Sequence, residues 1–409
     1  MLRSFRFANH RSFRDEQELV LLPAYDQSRP VVPVVAVFGA NASGKSNLLD
    51  ALAWMRRAVL ESFRKWEAES GIPRSPFRLD AAAAALPSSY SVDLTIDDVQ
   101  YTYGFTLDDG VVAEEWLNAY PHNRERVIFA RHGQLVELGS TVPERRGRAE
   151  LLASLLRENS LLLSTAVQAG QDEVLPVYRW FREGLGFAGG KSPSWQVLEQ
   201  LAQAIGRHPI FVPLLKAADL GIVDVIVDDV ELLSGRATAD LAYSVRSKQA
   251  VFLHGAGKVP LTWVDQSEGT QLWALLLMAA LEALQTGAAL VVDEVDASLH
   301  PRLTARLIEL FRHKSTNSRG AQLLFTTHDA TLLGTNLGEE VLRRDEIWFV
   351  DKRDGASTLY PLSDFHPRKD ENRERRYLAG SYGAVPVTFP DSLVDSVLST
   401  RTEPPDAEA

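Results

Sequence analysis

The 409-residue sequence contains no cysteine, which excludes disulfides, thiolate zinc sites and cysteine nucleophiles and suits a reducing compartment. No leader-like apolar segment opens it: MLRSFRFANHRSF is interrupted by Arg3, Arg6 and Arg11. The longest apolar stretch, Trp273 to Leu281, is too short to span a bilayer. These absences predict a cytoplasmic protein with no membrane partner. Positive charge is also short, with 43 Lys and Arg against 54 Asp and Glu and a net charge of -11. That argues against a generally basic, nucleic-acid-coating surface, although the sum leaves room for a local basic groove. No internal repeat is present, nor a heptad run long enough for an extended coiled coil.

What is present is ordinary globular material. Hydrophobic residues make up 45% and charged residues 24% of a length that suits one large domain with an insertion, or two to three domains. LRSFRFANHRSFRDEQELVLL reads as a short hairpin, VVPVVAVFGA as a buried strand and SNLLDALAWMRRAVLESFRKW as a long helix. The alanine run Ala81 to Ala85 suits a short helix or a loop. Tyr90 to Arg131 alternates like an antiparallel meander. Residues 144–220 read as helical, and GIVDVIVDDVEL and AYSVRSKQAVFLHG as strands beyond them. Expected boundaries are therefore 1–143, a helical insertion at 144–220, a C-terminal lobe at 221–399 and a disordered polar tail at 400–409.

Two segments carry phosphate chemistry. Gly39 to Ser46 reads GANASGKS, a complete G-x-x-x-x-G-K-S between the strand VVAVF and a helix. Such glycines let consecutive N–H groups curl around phosphate oxygens at the positive end of a helix. Gly39, Asn41, Ala42, Ser43, Gly44, Lys45, Ser46 and Asn47 are thus expected to hold ATP. Lys45 would reach the terminal phosphates and Ser46 would bind Mg²⁺. Further on, AALVVDEVDASLHP runs apolar into Asp293 and Glu294. Asp293 is expected to hold Mg²⁺, and Glu294 to polarise the attacking water as general base. The pair would also serve simply to cap the following helix. A bare P-loop suits a kinase or a GTPase as well, but no N-K-x-D guanine-reading motif occurs.

Three more segments follow in a specific order. SEGTQ (Ser267 to Gln271) precedes a helix, ASLHP follows Glu294, and QLLFTTHD ends a strand on His328. In that order they resemble the signature motif, D-loop and switch histidine of ABC-like ATPases related to SMC and overcoming-lysogenisation-defect proteins. The resemblance implies an α/β fold: an ABC-type P-loop ATPase head with a mixed sheet, an antiparallel β-subdomain and a helical insertion. It implies that Ser267 and Gly269 grip the γ-phosphate held by a second copy, and that His328 contacts that phosphate or the water. Taken alone, SEGTQ is equally a plain helix cap. NHRSF resembles the family's first strand, where a basic residue approaches the nucleotide, here Arg11. The family's glutamine lobe falls on Gln168, or on Gln171 close behind. PFRLD, YTYGFTLDDG, LLKAADLGI and RYLAGSYGAVP resemble bacterial AAA-type ATPases linked to phage defence and abortive infection, with Ser381 standing where Arg is expected.

The resemblance predicts an ATP-dependent homodimer or higher oligomer. No R-x₄-H ribonuclease pair or zinc cluster is found, and little sequence follows His328. The expected role is a sensor ATPase controlling a separately encoded toxin or nuclease. The alternative is a repair or recombination-mediator ATPase that binds DNA structures. Intact Lys45, Asp293 and Glu294 argue against a scaffold that binds ATP without turnover.

Overall fold

The computed structural model describes all residues except 27–28, 189–193, 235–242, 339, 369–370 and 387–409. The tail expected at 400–409, and the end of the expected C-terminal lobe, lie outside the described residues.

The chain opens with β1 (Leu2–Ala8), β2 (Gln17–Val20) and β3 (Val34–Phe38), then α1 (Lys45–Lys65) and the short α2 (Ala81–Ala85). Five strands follow: β4 (Ser88–Ile96), β5 (Val99–Leu107), β6 (Val112–Tyr120), β7 (Arg126–His132) and β8 (Leu135–Leu138). Helices α3 (Arg145–Leu155), α4 (Leu162–Gln168) and α5 (Leu175–Glu183) lead to β9 (Leu185–Ala188), α6 (Ser194–Arg207) and α7 (Phe211–Ala217). A ribbon of β10 (Ile222–Ser234), β11 (Tyr243–His254) and β12 (Val259–Leu261) precedes α8 (Glu268–Thr286) and β13 (Ala289–Val292). The last elements are α9 (Pro301–Arg312), β14 (Gln322–Thr327), β15 (Ile347–Arg353), β16 (Ala356–Pro361) and α10 (Arg373–Leu378).

Three sheets result. The central one has the order β16-β15-β3-β14-β13-β9, with β16 antiparallel to β15 and the other pairings parallel. Strand β3 is the buried valine-rich run VVAVF, as a parallel strand covered on both faces requires. Its side chains alternate between two cores. Val35 and Val37 pack with α1 and the meander, while Val34, Ala36 and Phe38 pack with α8 and α9. The second sheet is the antiparallel meander β2-β1-β4-β5-β6-β7-β8, whose alternating Tyr90, Val92 and Leu94 turn inward. The third is β10-β11-β12.

A buried ion pair fastens the meander to the helices behind it. Glu115 on β6 accepts from the Leu162 and Leu163 N–H groups at the start of α4, and from Tyr103 OH. Arg131 on β7 lies 3.6 Å from Glu115 and donates to the Ser160 carbonyl. Burial pushes the Glu115 carboxyl up, against the charge of Arg131 and the donors around it. Pairs of this kind fix geometry more than they add net stability.

The hairpin, the long helix and the meander lie where the sequence patterning predicts. Ala81–Ala85 forms a helix because Asp80 caps it, accepting from the Ala82 and Ala83 N–H groups. Residues 144–220 differ from expectation in one respect. Besides helices they contain β9, which pairs in parallel with β13 at the edge of the central sheet.

Candidate functional site

Parallel pairing of β3, β14 and β13 brings their C-terminal ends to one edge, the usual place for ligands in such sheets. Gly39 follows β3, His328 follows β14, and Asp293 and Glu294 follow β13. The three motifs far apart in sequence are therefore neighbours.

The loop between β3 and α1 has the build of an anion cradle. Gly44 adopts φ 117° and even Ala42 adopts φ 62°, so the chain curls rather than extends. A Cβ on Gly39 would stand 2.5 Å from the Val350 carbonyl oxygen, which is why that position is glycine. Helix α1 begins with no side-chain cap and no acidic residue in its first turn, leaving its leading N–H groups for a ligand. Ser43 is buried, and its Oγ has no hydrogen-bond partner among the described residues. Asn41, Ala42 and Ser46 are exposed. These features fit a triphosphate.

Lys45 is folded back into the loop. Its Nζ donates to the Gly39 and Ala40 carbonyls at 2.8 and 3.1 Å and lies 3.3 Å from His328 Nδ1. Burial lowers its pKa, while the fields of Glu294, Asp293 and Asp296 raise it. The charged amine has only protons to give. Nδ1 therefore accepts in this contact, and Nε2 faces Glu294 Oε1 at 3.7 Å.

The two carboxylates are solvated at the strand end rather than buried, so they incur little desolvation cost. Thr326 organises them: its hydroxyl donates to Asp293 Oδ1 at 2.5 Å and accepts from the Glu294 N–H at 2.7 Å. Glu294 sits at φ 48°, a strained setting for a side-chain-bearing residue. Asp296 Oδ2 accepts from the His328 N–H.

Beside Ser46 and Asp293 lies a cleft of about 320 Å³, also lined by Arg11, Asp50, Phe187 and Ala188. A hydroxyl and a carboxylate facing one space are a donor set suited to Mg²⁺. The NHRSF segment explains how Arg11 reaches it. Asn9 donates to the Ala83 and Leu86 carbonyls and accepts from Phe77 N–H. Phe13 is fully buried, and His10 bridges Tyr90 OH and Asp50. Arg11 Nε then donates to Asp50 Oδ2 at 2.5 Å. Burial raises the Asp50 carboxyl, but His10 and Arg11 outweigh it and bring its pKa to about 2.

Ser267 caps α8, accepting from the Thr270 N–H, and is exposed. A Cβ on Gly269 would stand 2.6 Å from the Ser298 carbonyl oxygen, so the ASLHP turn lies directly against this helix start. Among the described residues, no hydrogen bond joins Ser267 to the P-loop of its own chain.

Gln168 is not brought to the carboxylates. Ser164 on α4 accepts from the Phe63 N–H near the far end of α1, about 25 Å along that helix from Ser46. Gln168 is one turn further on and exposed, and Gln171 donates only to the Ala169 carbonyl. The segment that enters the cleft from this region is the end of β9, Phe187 and Ala188. Sequence reasoning also missed Thr326, Asp296 and Asp50. Thr326 and Asp296 lie within the strings that were singled out, and only the register of β13 against β14 reveals their use.

No curated protein matches the chain. Within the described residues, no helix is long and apolar enough to cross a membrane. The family described as "AAA domain, putative AbiEii toxin, Type IV TA system" matches residues 34–334, from the start of β3 to just past His328, and the chain belongs to that family.

Proposed function

We propose that the chain is an ATP-hydrolysing switch that closes as a pair of copies around ATP and regulates a separately encoded toxin or nuclease in abortive infection. The observation that carries the ATPase reading is the convergence of Lys45, Asp293, Glu294 and His328 at one sheet edge. In this reading Lys45 exchanges its carbonyl and His328 contacts for phosphate oxygens. Ser46 and Asp293 hold Mg²⁺, which neutralises phosphate charge when bound. Glu294 takes the proton of the attacking water, and His328, released from Lys45, orients that water or the γ-phosphate. Arg11 adds positive charge at the phosphate end of the cleft. Ser267 and Gly269, at an exposed helix start, serve the nucleotide of the second copy. The family's description, which names a putative AbiEii toxin and a type IV toxin–antitoxin system, supports the link to abortive infection.

Glu294→Gln tests the chemistry. It is expected to retain ATP binding while kcat falls about a hundredfold or more, and to hold the ATP-bound pair together. An unaltered hydrolysis rate removes Glu294 from the base role. Co-purification from the native operon tests the regulatory half: a toxin or nuclease partner is expected, and a lone chain that itself cuts DNA or RNA refutes it.

One observation favours the second reading, a DNA-structure-binding ATPase. A cleft of about 650 Å³ beside α9 is lined by Arg302, Arg306, Arg312, Arg343 and His313, with Glu309 and Glu340. That reading predicts ATPase activity raised by DNA, and DNA binding that weakens steeply with salt.

A further inference from the structure

Two serines outside the G-x-x-x-x-G-K-S loop meet at its back. Ser12 lies in the NHRSF segment, next to Arg11. Ser357 lies on β16 and is buried. Asn47 Nδ2 is 2.8 Å from Ser12 Oγ, Ser12 Oγ is 2.8 Å from Ser357 Oγ, and Ser357 Oγ is 2.5 Å from the Ser43 carbonyl oxygen.

Ser357 Oγ directs its single proton at the Ser43 carbonyl oxygen and at Ser12 Oγ, and Ser12 Oγ also accepts from Asn47 Nδ2. A hydroxyl oxygen has room for two donors, so Ser12 is held from both sides. The two serines are also tied through the backbone, Ser357 N–H donating to the Ser12 carbonyl at 2.7 Å.

The chain of bonds passes directly over Gly44. A Cβ there would stand 2.5 Å from Ser357 Oγ and 2.8 Å from Ser12 Oγ, so the glycine serves close approach as well as its φ of 117°. Holding the Ser43 carbonyl outward orients the peptide whose N–H belongs to Gly44, one of the groups that would face phosphate.

We infer that Ser12 and Ser357 are positioning residues that preset the P-loop for phosphate, linking it to the turn between β1 and β2 and to the last strand, β16. The inference rests on the ATP-binding reading. Neither serine touches the reacting atoms, so the relay governs nucleotide affinity and leaves the chemical step to Lys45, Glu294 and His328.

The test uses the full-length chain, measuring steady-state ATPase activity together with binding of a fluorescent ATP analogue. Ser12→Ala and Ser357→Ala are each expected to raise KM and the analogue's Kd about fivefold to tenfold, with kcat within about twofold. Because either change breaks the same chain, the double variant is expected to match the singles rather than multiply them. Ser12→Thr keeps the hydroxyl at a half-buried site and is expected to restore affinity; Ser12 also stands in if Ser357→Ala does not fold. Effects that multiply in the double variant, a fall in kcat at unchanged KM, or unchanged affinity in both singles overturns the relay alone. Wild-type chain that takes up no ATP overturns the nucleotide reading and the relay with it.

Discussion

His10 has no exposed side-chain surface, yet both ring nitrogens are engaged, by Tyr90 OH at 2.8 Å and Asp50 at 3.0 Å. Burial lowers its pKa; Asp50 raises it again in part, and Arg11 and Arg57 add to the lowering. The unfolded chain binds a proton below about pH 6.5 that the folded chain resists. Stability is therefore complete above that pH and is lost as pH falls through the window beneath it. Thermal unfolding between pH 7 and 5 is expected to show a steeper loss for wild type than for His10→Gln, and equal slopes would remove His10 as a cause. Residues differ in how much of this the sequence makes legible. Asp293 and Glu294 stand out because acids seldom follow an apolar strand without purpose. Asp50 does not, because one carboxylate on an amphipathic helix resembles any solvated one, and only the fold places Arg11 beside it.

The start of α8 shows how elements constrain one another. Gly269 has no room for a side chain because the ASLHP turn runs 2.6 Å from where its Cβ would be. Gly269→Val is expected to displace that turn and lower ATPase activity about tenfold or more, with helix content by circular dichroism unchanged. Full activity would show that the turn is free to shift. The closing string RYLAGSYGAVP also acquires a use at this scale. Tyr377 and Tyr382 stack on Phe349 of β15, and Tyr377 meets Phe38 edge-on, so the string backs the strand that carries the P-loop. Ser381, in place of an expected Arg, makes a backbone bond to the Arg376 carbonyl. Long periodic elements such as α1 and the meander are plain in the sequence. Strand β9 is not: LGFA is four residues long, is separated from α5 by Gly184 alone, and is a strand only because β13 offers an edge.

Taken whole, the molecule presents Ser267 on its surface while the P-loop opens at the sheet edge. Association should follow from nucleotide rather than from standing contacts. On a sizing column, Glu294→Gln with ATP is expected to elute as a dimer. The same chain carrying Ser267→Arg is expected to stay monomeric while still binding ATP, because a bulky cation blocks the second copy's approach. A dimer that persists in the Ser267→Arg chain would place the interface elsewhere. Overall composition anticipates a soluble-type core but not the basic cleft beside α9, since a net charge of -11 averages away where the arginines gather.

The position of β3 has a consequence for how the protein is made. Both of its hydrogen-bonded neighbours, β14 and β15, come from the last quarter of the chain. A ribosome adding about 5–20 residues per second leaves VVAVF without either partner for roughly fifteen seconds to a minute. Throughout that interval five consecutive apolar residues await shelter, which makes this segment the natural client for a chaperone during synthesis. On the proposed reading, ATP can be held firmly only once β14 and β15 have been made.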